Sequence, residues 1–261
     1  MDRSNIEKIA KSAEDKVLLA KLWDKINAGI RKNIPANTCF LSPRELEMTK
    51  YLFGSVDGLT SFGGYEDAER RMLVYLPDYL DESYWLQSDA PLVCMQATFY
   101  EKDTPTHRDF LGALIGAGIA RETIGDICVG NNCCHFFLSA EIAPYVIQNF
   151  TSAGRTRLHV SQISLNDFTL PAQNTVTIQD TVASLRFDSI ISSGFRIGRS
   201  SAAQYITSGR SAIDGLPCEK PDKLIDEGAK LSVRGLGKIK LEKINGQTKK
   251  GRISIVIHRY V

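Results

Sequence analysis

Apolar residues recur every three to five positions through the first 30 residues, separated mainly by lysine, aspartate and glutamate. This spacing puts them along one side of an amphipathic helix, which we expect to end before Pro35. The recurring positions are Ile6, Ile9, Ala13, Val17, Leu22, Ile26 and Ile30.

A second helix is predicted to begin after Ser42 and to run to about Phe53. Ser42, Pro43 and Glu45 have the spacing of an N-cap, a first helical proline and the glutamate of a capping box. Several glycines then break the chain into loops. We therefore assign residues 1–68 to a helical N-terminal region.

Short apolar runs alternate with helical segments after residue 70. The order strand, helix, strand, strand, helix, strand is that of a split βαβ domain, so we assign residues 69–168 to a ferredoxin-like or RRM-like α+β domain. Gly130-Asn131-Asn132 is expected to form the tight turn between its two middle strands. The predicted strands are 72–76, 92–99, 124–129, 133–138 and 158–163, and the predicted helices are 106–117, with Thr106 as its N-cap, and 139–150.

The remaining chain consists of a polar stretch followed by two predicted helices and several short strands. Residues 169–181 are polar and contain a proline, which indicates a linker with at most one short strand. Residues 182–261 open with two helical patterns, 184–193 and 200–208, which we expect to end at Gly194 and Gly209. Short strands follow, with turns expected at Asp214-Gly215, Gly235-Leu236-Gly237 and Asn245-Gly246.

Charge divides the chain at the same boundary. Residues 182–261 carry 15 Lys+Arg and 7 Asp+Glu, a net of +8, which leaves 17 basic and 23 acidic residues, a net of −6, in residues 1–181. A basic module on an acidic body is the pattern expected of a polyanion-binding protein, and nucleic acids are the commonest such ligands. With no signal core, no membrane-length apolar run and six scattered cysteines, we expect a cytoplasmic protein with reduced thiols.

The basic module resembles the S4 RNA-binding domain, also called the αL domain, over about 50 residues. Three departures are Phe187 in place of the usual leucine, Asp214 in place of asparagine and Ala229 in place of aspartate. We leave Asp214 out of the RNA contacts because its carboxylate would repel phosphate. The resemblance rests on Ser184-Leu185-Arg186-Phe187-Asp188, Gly194-Phe195-Arg196-Ile197-Gly198-Arg199-Ser200-Ser201-Ala202-Ala203-Gln204, Ile206-Thr207-Ser208-Gly209-Arg210 and Gly228-Ala229-Lys230-Leu231-Ser232-Val233-Arg234-Gly235.

We expect the RNA contacts near helix ends and turns, where side chains and free backbone N–H groups meet phosphates together. Ser200 and Ser201 are also expected to cap the second helix. A basic hairpin tip at residues 248–252 adds a second group of cations. Each arginine taken alone is better explained as a solvated surface charge, and it is their grouping that favours phosphate contact. The candidate set is Arg186, Arg196, Arg199, Ser200, Ser201, Gln204, Arg210, Arg234, Lys238, Lys249, Lys250 and Arg252.

The whole chain resembles the bacterial YlmH family, known in phototrophs as photosystem II S4-domain proteins. The upstream signature is Phe62-Gly63-Gly64-Tyr65-Glu66-Asp67-Ala68-Glu69-Arg70-Arg71, and Thr248-Lys249-Lys250-Gly251-Arg252 matches as well. The resemblance implies an RRM-like middle domain, binding of rRNA and tRNA, and association with the large ribosomal subunit in the rescue of stalled nascent chains. A gene-neighbourhood link to cell division is also implied.

Other motifs are weaker. Cys128, Cys133, Cys134 and His135 are close in sequence, but strand neighbours point to opposite faces, so we expect no metal site and no cofactor. On the middle domain, Phe99, Tyr100, His135, Phe136 and Phe137 would suit base stacking, although alternating aromatic residues also fill cores.

The sequence therefore predicts a non-catalytic, monomeric protein that binds structured RNA. One alternative is an RNA-modifying enzyme, of the pseudouridine synthase or methyltransferase type, that uses the S4 domain as an anchor. Another is a cell-division adaptor.

Overall fold

The structure is a computed structural model that describes residues 3–171, 175–248 and 251–260. The chain divides into two compact units, residues 1–172 and residues 173–261. Helices and sheets occur in both, which confirms the α+β class. Within the described segments, no helix has the length and apolar character needed to cross a bilayer.

The N-terminal part of the first unit combines helices with a three-stranded sheet. The expected first helix is two helices, because Ser12 begins a new one by accepting a hydrogen bond from the N–H of Asp15 at 3.2 Å. The capping box of Ser42 and Glu45 is confirmed. The elements are α1 (Ile6–Ile9), α2 (Ala13–Lys32), β1 (Ala36–Leu41), α3 (Pro43–Phe53), β2 (Leu59–Phe62) and β3 (Arg71–Tyr75), with the strands in the order β1-β3-β2.

This sheet changes the expected organisation. Strands β1 and β2 were not predicted, and the strand expected at 72–76 pairs with them rather than with the middle domain. The N-terminal region is therefore mixed α and β, and it extends past residue 68 to include β3.

The middle of the first unit has the predicted split βαβ order. Its sheet is antiparallel throughout, with the strand order β5-β6-β4-β9. The capping box of Thr106 and Asp109 begins α5 as expected, whereas Pro144 marks a later start for α6 than predicted. The elements are α4 (Glu82–Ser88), β4 (Leu92–Thr98), α5 (His107–Gly116), β5 (Ile124–Val129), β6 (Cys133–Ser139), α6 (Ala143–Asn149), β7 (Ser152–Ala153), β8 (Thr156–Arg157) and β9 (His159–Ile163).

The second unit packs two helices on a six-stranded sheet in the order β10-β15-β14-β13-β11-β12. Residues that are wholly buried, including Phe187, Ile191, Ile239 and Ile257, form one core between the helices and the strands. The elements are β10 (Thr175–Val182), α7 (Phe187–Phe195), α8 (Arg199–Thr207), β11 (Ser211–Ile213), β12 (Leu216–Pro217), β13 (Lys230–Val233), β14 (Gly237–Gln247) and β15 (Ile253–Tyr260).

Two local predictions in this unit were wrong, and a third was incomplete. The strand that the sequence allowed within the linker forms as β10, which extends to Val182 and pairs along its length with β15. Gly194 lies inside α7, and the helix ends instead at Arg196, which adopts the left-handed conformation with φ 54°. Asn245-Gly246 lies within β14 at a register shift, and the hairpin turns farther along, between Thr248 and Arg252.

Candidate nucleic-acid interface

Asp188 joins two of the expected RNA-contacting arginines. Arg199 donates to its carboxylate from Nε at 3.1 Å and from Nη2 at 3.3 Å. Arg186 donates from Nε and Nη2, both at 3.3 Å. Arg186 is the N-cap of α7 and Arg199 is the first residue of α8, so one carboxylate fixes the positions of both helix starts.

Burial and charge at this trio determine what it presents to solvent. The Asp188 side chain is 7% exposed, whereas those of Arg186 and Arg199 are 38% and 52% exposed. Burial alone would raise the pKa of Asp188, but hydrogen bonds from Arg199 and Arg186 outweigh it and hold the pKa below its ordinary value. One carboxylate between two guanidinium groups leaves a net positive charge on the exposed side.

A cleft of about 370 Å³ lies beside this trio and is lined by Arg196, Arg199 and Arg252. We call it the arginine cleft. Hydroxyl groups of Thr181, Ser189, Ser192 and Ser193 and the carboxylate of Asp180 complete its polar lining. The three guanidinium groups provide donors that a phosphate oxygen accepts from, whereas the serine hydroxyls already donate within the protein.

Each cation of the arginine cleft is held by a different local feature. The left-handed backbone of Arg196 turns the chain between the two helices. Arg252 donates to the hydroxyl of Thr181 from Nε at 3.0 Å and to the Thr181 carbonyl from Nη2. Asp180 accepts a hydrogen bond from the Ser193 hydroxyl at 2.6 Å. The end of strand β10 therefore forms one wall of the cleft.

The start of α8 adds backbone donors. Its N-cap is Gly198, and Ser200 and Ser201 lie in the first turn. The prediction that these two serines cap the helix was therefore wrong. Both are exposed, and their N–H groups donate to no other described residue. Such groups at a helix N-terminus favour an anion. At α7, by contrast, the N–H groups of Phe187 and Asp188 already donate to the carbonyls of residues 223 and 221.

The remaining candidates lie farther from the cleft. Arg210 follows the other end of α8, about 13 Å from its start for a helix of this length, and its guanidinium lies 5.9 Å from the centre of the Tyr205 ring. The N–H of Arg234 donates to the Arg210 carbonyl at 2.8 Å, which makes these two residues backbone neighbours. Gln204 is exposed on α8 between the two groups.

Three lysines complete the candidate set. Lys238 lies on β14 and pairs with Ser232 on β13. Lys249 and Lys250 lie outside the described residues. The structure thus brings Arg186, Arg196, Arg199 and Arg252 together at one place, and Arg210 with Arg234 at another.

One contributor was not predicted from the sequence. Asp188 fixes two of the arginines, and an Arg-x-Asp spacing at a helix start is a signal for such a pair.

The sheet of the middle domain does not offer the aromatic platform that was considered. Phe136 is buried against helices α5 and α6, while Phe137 is buried on the other face, against β1 and β3. His135 is 7% exposed, and its ring lies 5.4 Å from that of Phe168. Tyr100 is exposed but follows the end of β4.

The N-terminal sheet covers the face where bases would stack. The ring of Phe40 on β1 approaches the backbone of Gly125 so closely that a Cβ there would lie 2.7 Å away. Arg70 donates to the carbonyls of Phe40 at 3.0 Å and Ile124 at 2.8 Å, and Tyr65 stacks on Phe137 with ring centres 5.4 Å apart. This face is therefore part of the protein core.

The cysteine and histidine side chains of β5 and β6 are likewise part of the protein's internal packing. Cys134 is wholly buried on the helix side, and His135 contacts Gln96 at 3.1 Å on the other. Among residues 3–171, 175–248 and 251–260, no three His, Cys, Asp or Glu side chains are grouped closely enough to hold a metal ion.

Comparison with known proteins gives matches of three kinds. A family model described as "Putative RNA-binding domain in YlmH" matches residues 94–167. The chain is 33% identical over 224 residues to "Ribosome-associated protein quality control protein P2" of Bacillus subtilis (strain 168), covering 85% of this chain and 86% of that protein. A solved structure, "Cell division protein ylmH from Streptococcus pneumoniae", is similar with a TM-score of 0.49 and 19% identity over 60% of this chain and 96% of that one.

Proposed function

The chain belongs to the YlmH family, and from that premise we propose that it binds structured RNA on the ribosome, without catalysis, through the arginines of its second unit. Its role would be in ribosome-associated quality control in the cytoplasm, with rRNA of the large subunit and tRNA as ligands. The name of the Bacillus subtilis relative supports the process, and the resemblance of the second unit to S4 domains supports the ligand.

The observation that carries this proposal is the arrangement around Asp188. A buried carboxylate that holds two arginines reduces their rotamer freedom, so less entropy is lost when they contact phosphates. Arg196 and Arg252 add charge at the adjoining arginine cleft. Fixed cations at set distances suit a folded RNA, whose phosphates are also fixed, better than a flexible strand.

The test is co-sedimentation with purified ribosomal subunits across a range of salt concentrations. We expect wild-type protein to pellet with large subunits, and the variant Arg196→Ala, Arg199→Ala, Arg210→Ala to bind more weakly with a shallower salt dependence, since each lost phosphate contact lowers the slope by about 0.7 to 0.9. The matched control is Lys21→Ala, Lys25→Ala, Lys32→Ala, which removes the same charge from the exposed side of α2.

Equal loss in both variants would show that only net charge matters and would contradict a defined site. Wild-type protein that stays in the supernatant at low salt would contradict the proposal as a whole. Analysis of nucleosides from the same mixtures adds a second check, because any modified nucleoside formed would show that the protein is an enzyme.

A further inference from the structure

A cleft of about 670 Å³ opens in the first unit, where β4 begins and β9 ends. Apolar side chains, including Leu86, Leu92 and Ile163, line part of it, with α4 on one side and the start of α6 on another. Its size is that of a site for several residues of an extended chain or for a small organic molecule.

Three primary amides also line this cleft: Gln87, Gln162 and Asn166. All three side chains are exposed, and none forms a hydrogen bond with another described residue. A primary amide both donates and accepts, so it matches the N–H and C=O groups of a peptide backbone.

The cleft has no charged residue in its lining, but its rim is acidic. Four exposed carboxylates are each adjacent in sequence to a lining residue: Glu82, Asp89, Glu141 and Asp167. No lysine or arginine lies between Arg71 and Lys102, a stretch with five carboxylates. This field repels phosphate and attracts cations.

The edge of the sheet adjoins the cleft. Among the described strands, β9 pairs with β4 alone, so its outer side has no neighbouring strand. The cleft reaches β9 at Gln162 and Ile163. A strand edge next to apolar pockets is the arrangement by which an extended peptide binds through its backbone.

We propose that this cleft binds an extended, basic segment of a partner protein. Apolar side chains of the segment would enter the cleft, its backbone would meet the amides and the β9 edge, and its lysines or arginines would face the rim carboxylates. This inference goes beyond RNA binding, because it gives the acidic first unit a protein ligand of opposite charge to the ligand of the second unit.

The experiment measures fluorescence anisotropy of the full chain with three labelled probes: a peptide of alternating lysine and valine, a peptide of alternating glutamate and valine, and a folded RNA hairpin. We expect the lysine peptide to bind and the glutamate peptide not to bind. The rim variant Glu82→Gln, Asp89→Asn, Asp167→Asn should weaken lysine-peptide binding about tenfold. The control Asp57→Asn, Glu101→Gln, Glu122→Gln removes the same charge from positions outside the cleft and should have little effect.

A second pair of variants tests the cleft itself. Gln162→Lys places a cation in the lining and should reduce lysine-peptide binding, whereas Gln148→Lys, on the exposed side of α6 outside the lining, should not. Equal effects within either pair would overturn the proposal, as would a loss of RNA-hairpin binding in the rim variant. Self-association through the cleft, seen as a dimer in sedimentation equilibrium that Gln162→Lys abolishes, would also overturn it.

Failure of this inference is distinguishable from failure of the proposed function. Substitution of Arg196, Arg199 and Arg210 removes cations of the second unit and should leave lysine-peptide binding unchanged. The rim variant should in turn leave ribosome binding by the second unit unchanged.

Discussion

The carboxylate of Asp188 lies 3.1 Å from Nε of Arg199, a residue in the next helix along the chain. Because Asp188 also binds Arg186, a negative charge lies at the centre of a surface that would attract RNA. Its effect on affinity is therefore a balance between repelling phosphate and ordering two cations. The two effects have opposite signs, so a substitution separates them.

We expect Asp188→Asn to weaken RNA binding about tenfold, equivalent to about 1.4 kcal/mol, because the freed arginines lose their fixed positions. Charge alone predicts the reverse, since the variant is more positive. The measurement is a binding titration with ribosomal RNA. Asp180→Asn is the matched control, because it removes a carboxylate from the arginine cleft that binds a serine rather than an arginine. Tighter binding by Asp188→Asn would refute an ordering role.

Arg196→Gly separates RNA binding from stability. Arg196 has a φ of 54°, where a side chain is strained and glycine is not. We expect the glycine variant to be more stable by up to about 1 kcal/mol, while it binds RNA more weakly. Hydrogen exchange of the α7 and α8 amides measures the stability, and the same RNA titration measures the affinity. A variant that is less stable would show that the arginine side chain contributes to packing.

Gly64→Ala should destabilise the first unit by about 2–4 kcal/mol. Gly64 has a φ of 95°, and an added Cβ would lie 2.3 Å from the Phe137 ring. Gly112→Ala is the opposite case within the same unit. Gly112 lies on the exposed side of α5, and an added Cβ there has no neighbour within 4 Å, so alanine should stabilise the helix by about 0.5–1 kcal/mol. Both tryptophans, Trp23 and Trp85, lie in this unit, so urea unfolding followed by their fluorescence reports on it. Equal effects of the two substitutions would contradict the packing described at Phe137.

The ion pair of Asp15 predicts that the stability of the first unit depends on pH. The hydrogen bond from Arg44, at 2.9 Å from Nη1, lowers the pKa of the buried Asp15 carboxyl despite the opposing effect of burial. A folded-state pKa below the unfolded value means that the stabilisation is present above about pH 4, the ordinary value, and is lost as pH falls through the folded-state pKa. Because Arg44 is 37% exposed, screening limits the contribution to about 1 kcal/mol.

We therefore expect Asp15→Asn to be less stable than wild type at pH 6, with a difference that narrows below about pH 4. Tryptophan-monitored urea unfolding at several pH values measures this difference. Asp24→Asn, which breaks an ion pair whose two side chains are both more than half exposed, should change stability little at any pH. A constant difference for Asp15→Asn across the pH range would show that the ion pair is not its cause.

Local signals explain which parts of the fold could be predicted from the sequence. Ser42 and Thr106 begin helices because capping requires only neighbours in the chain, and both were predicted correctly. Strand β1 was missed, because it is specified by pairing with β3, some 35 positions later, and by burial against the middle domain. Pairing and burial that involve residues distant in sequence are only weakly reflected in the local pattern of apolar and polar residues.

The error at Gly194 has a related cause. A glycine near the end of a helical pattern usually marks its end. Here Gly194 is required because a Cβ would lie 2.5 Å from Cδ1 of Ile239, a contact with a strand far along the sequence. The position expected of glycine is held by Arg196 instead. The basic residues chosen from the sequence stay a prediction as RNA contacts, and their division into two groups depends on the turn that Arg196 makes.

The burial of Phe137 beneath Phe40 and Tyr65 limits how this protein can be dissected. A fragment that begins at residue 69 would retain the four-stranded sheet but lose β1 and most of the residues that cover the Phe137 face of that sheet. A large apolar surface would then be exposed to water and would promote aggregation. The N-terminal region and the middle domain therefore share one core, and neither can be excised without exposing the other's buried face.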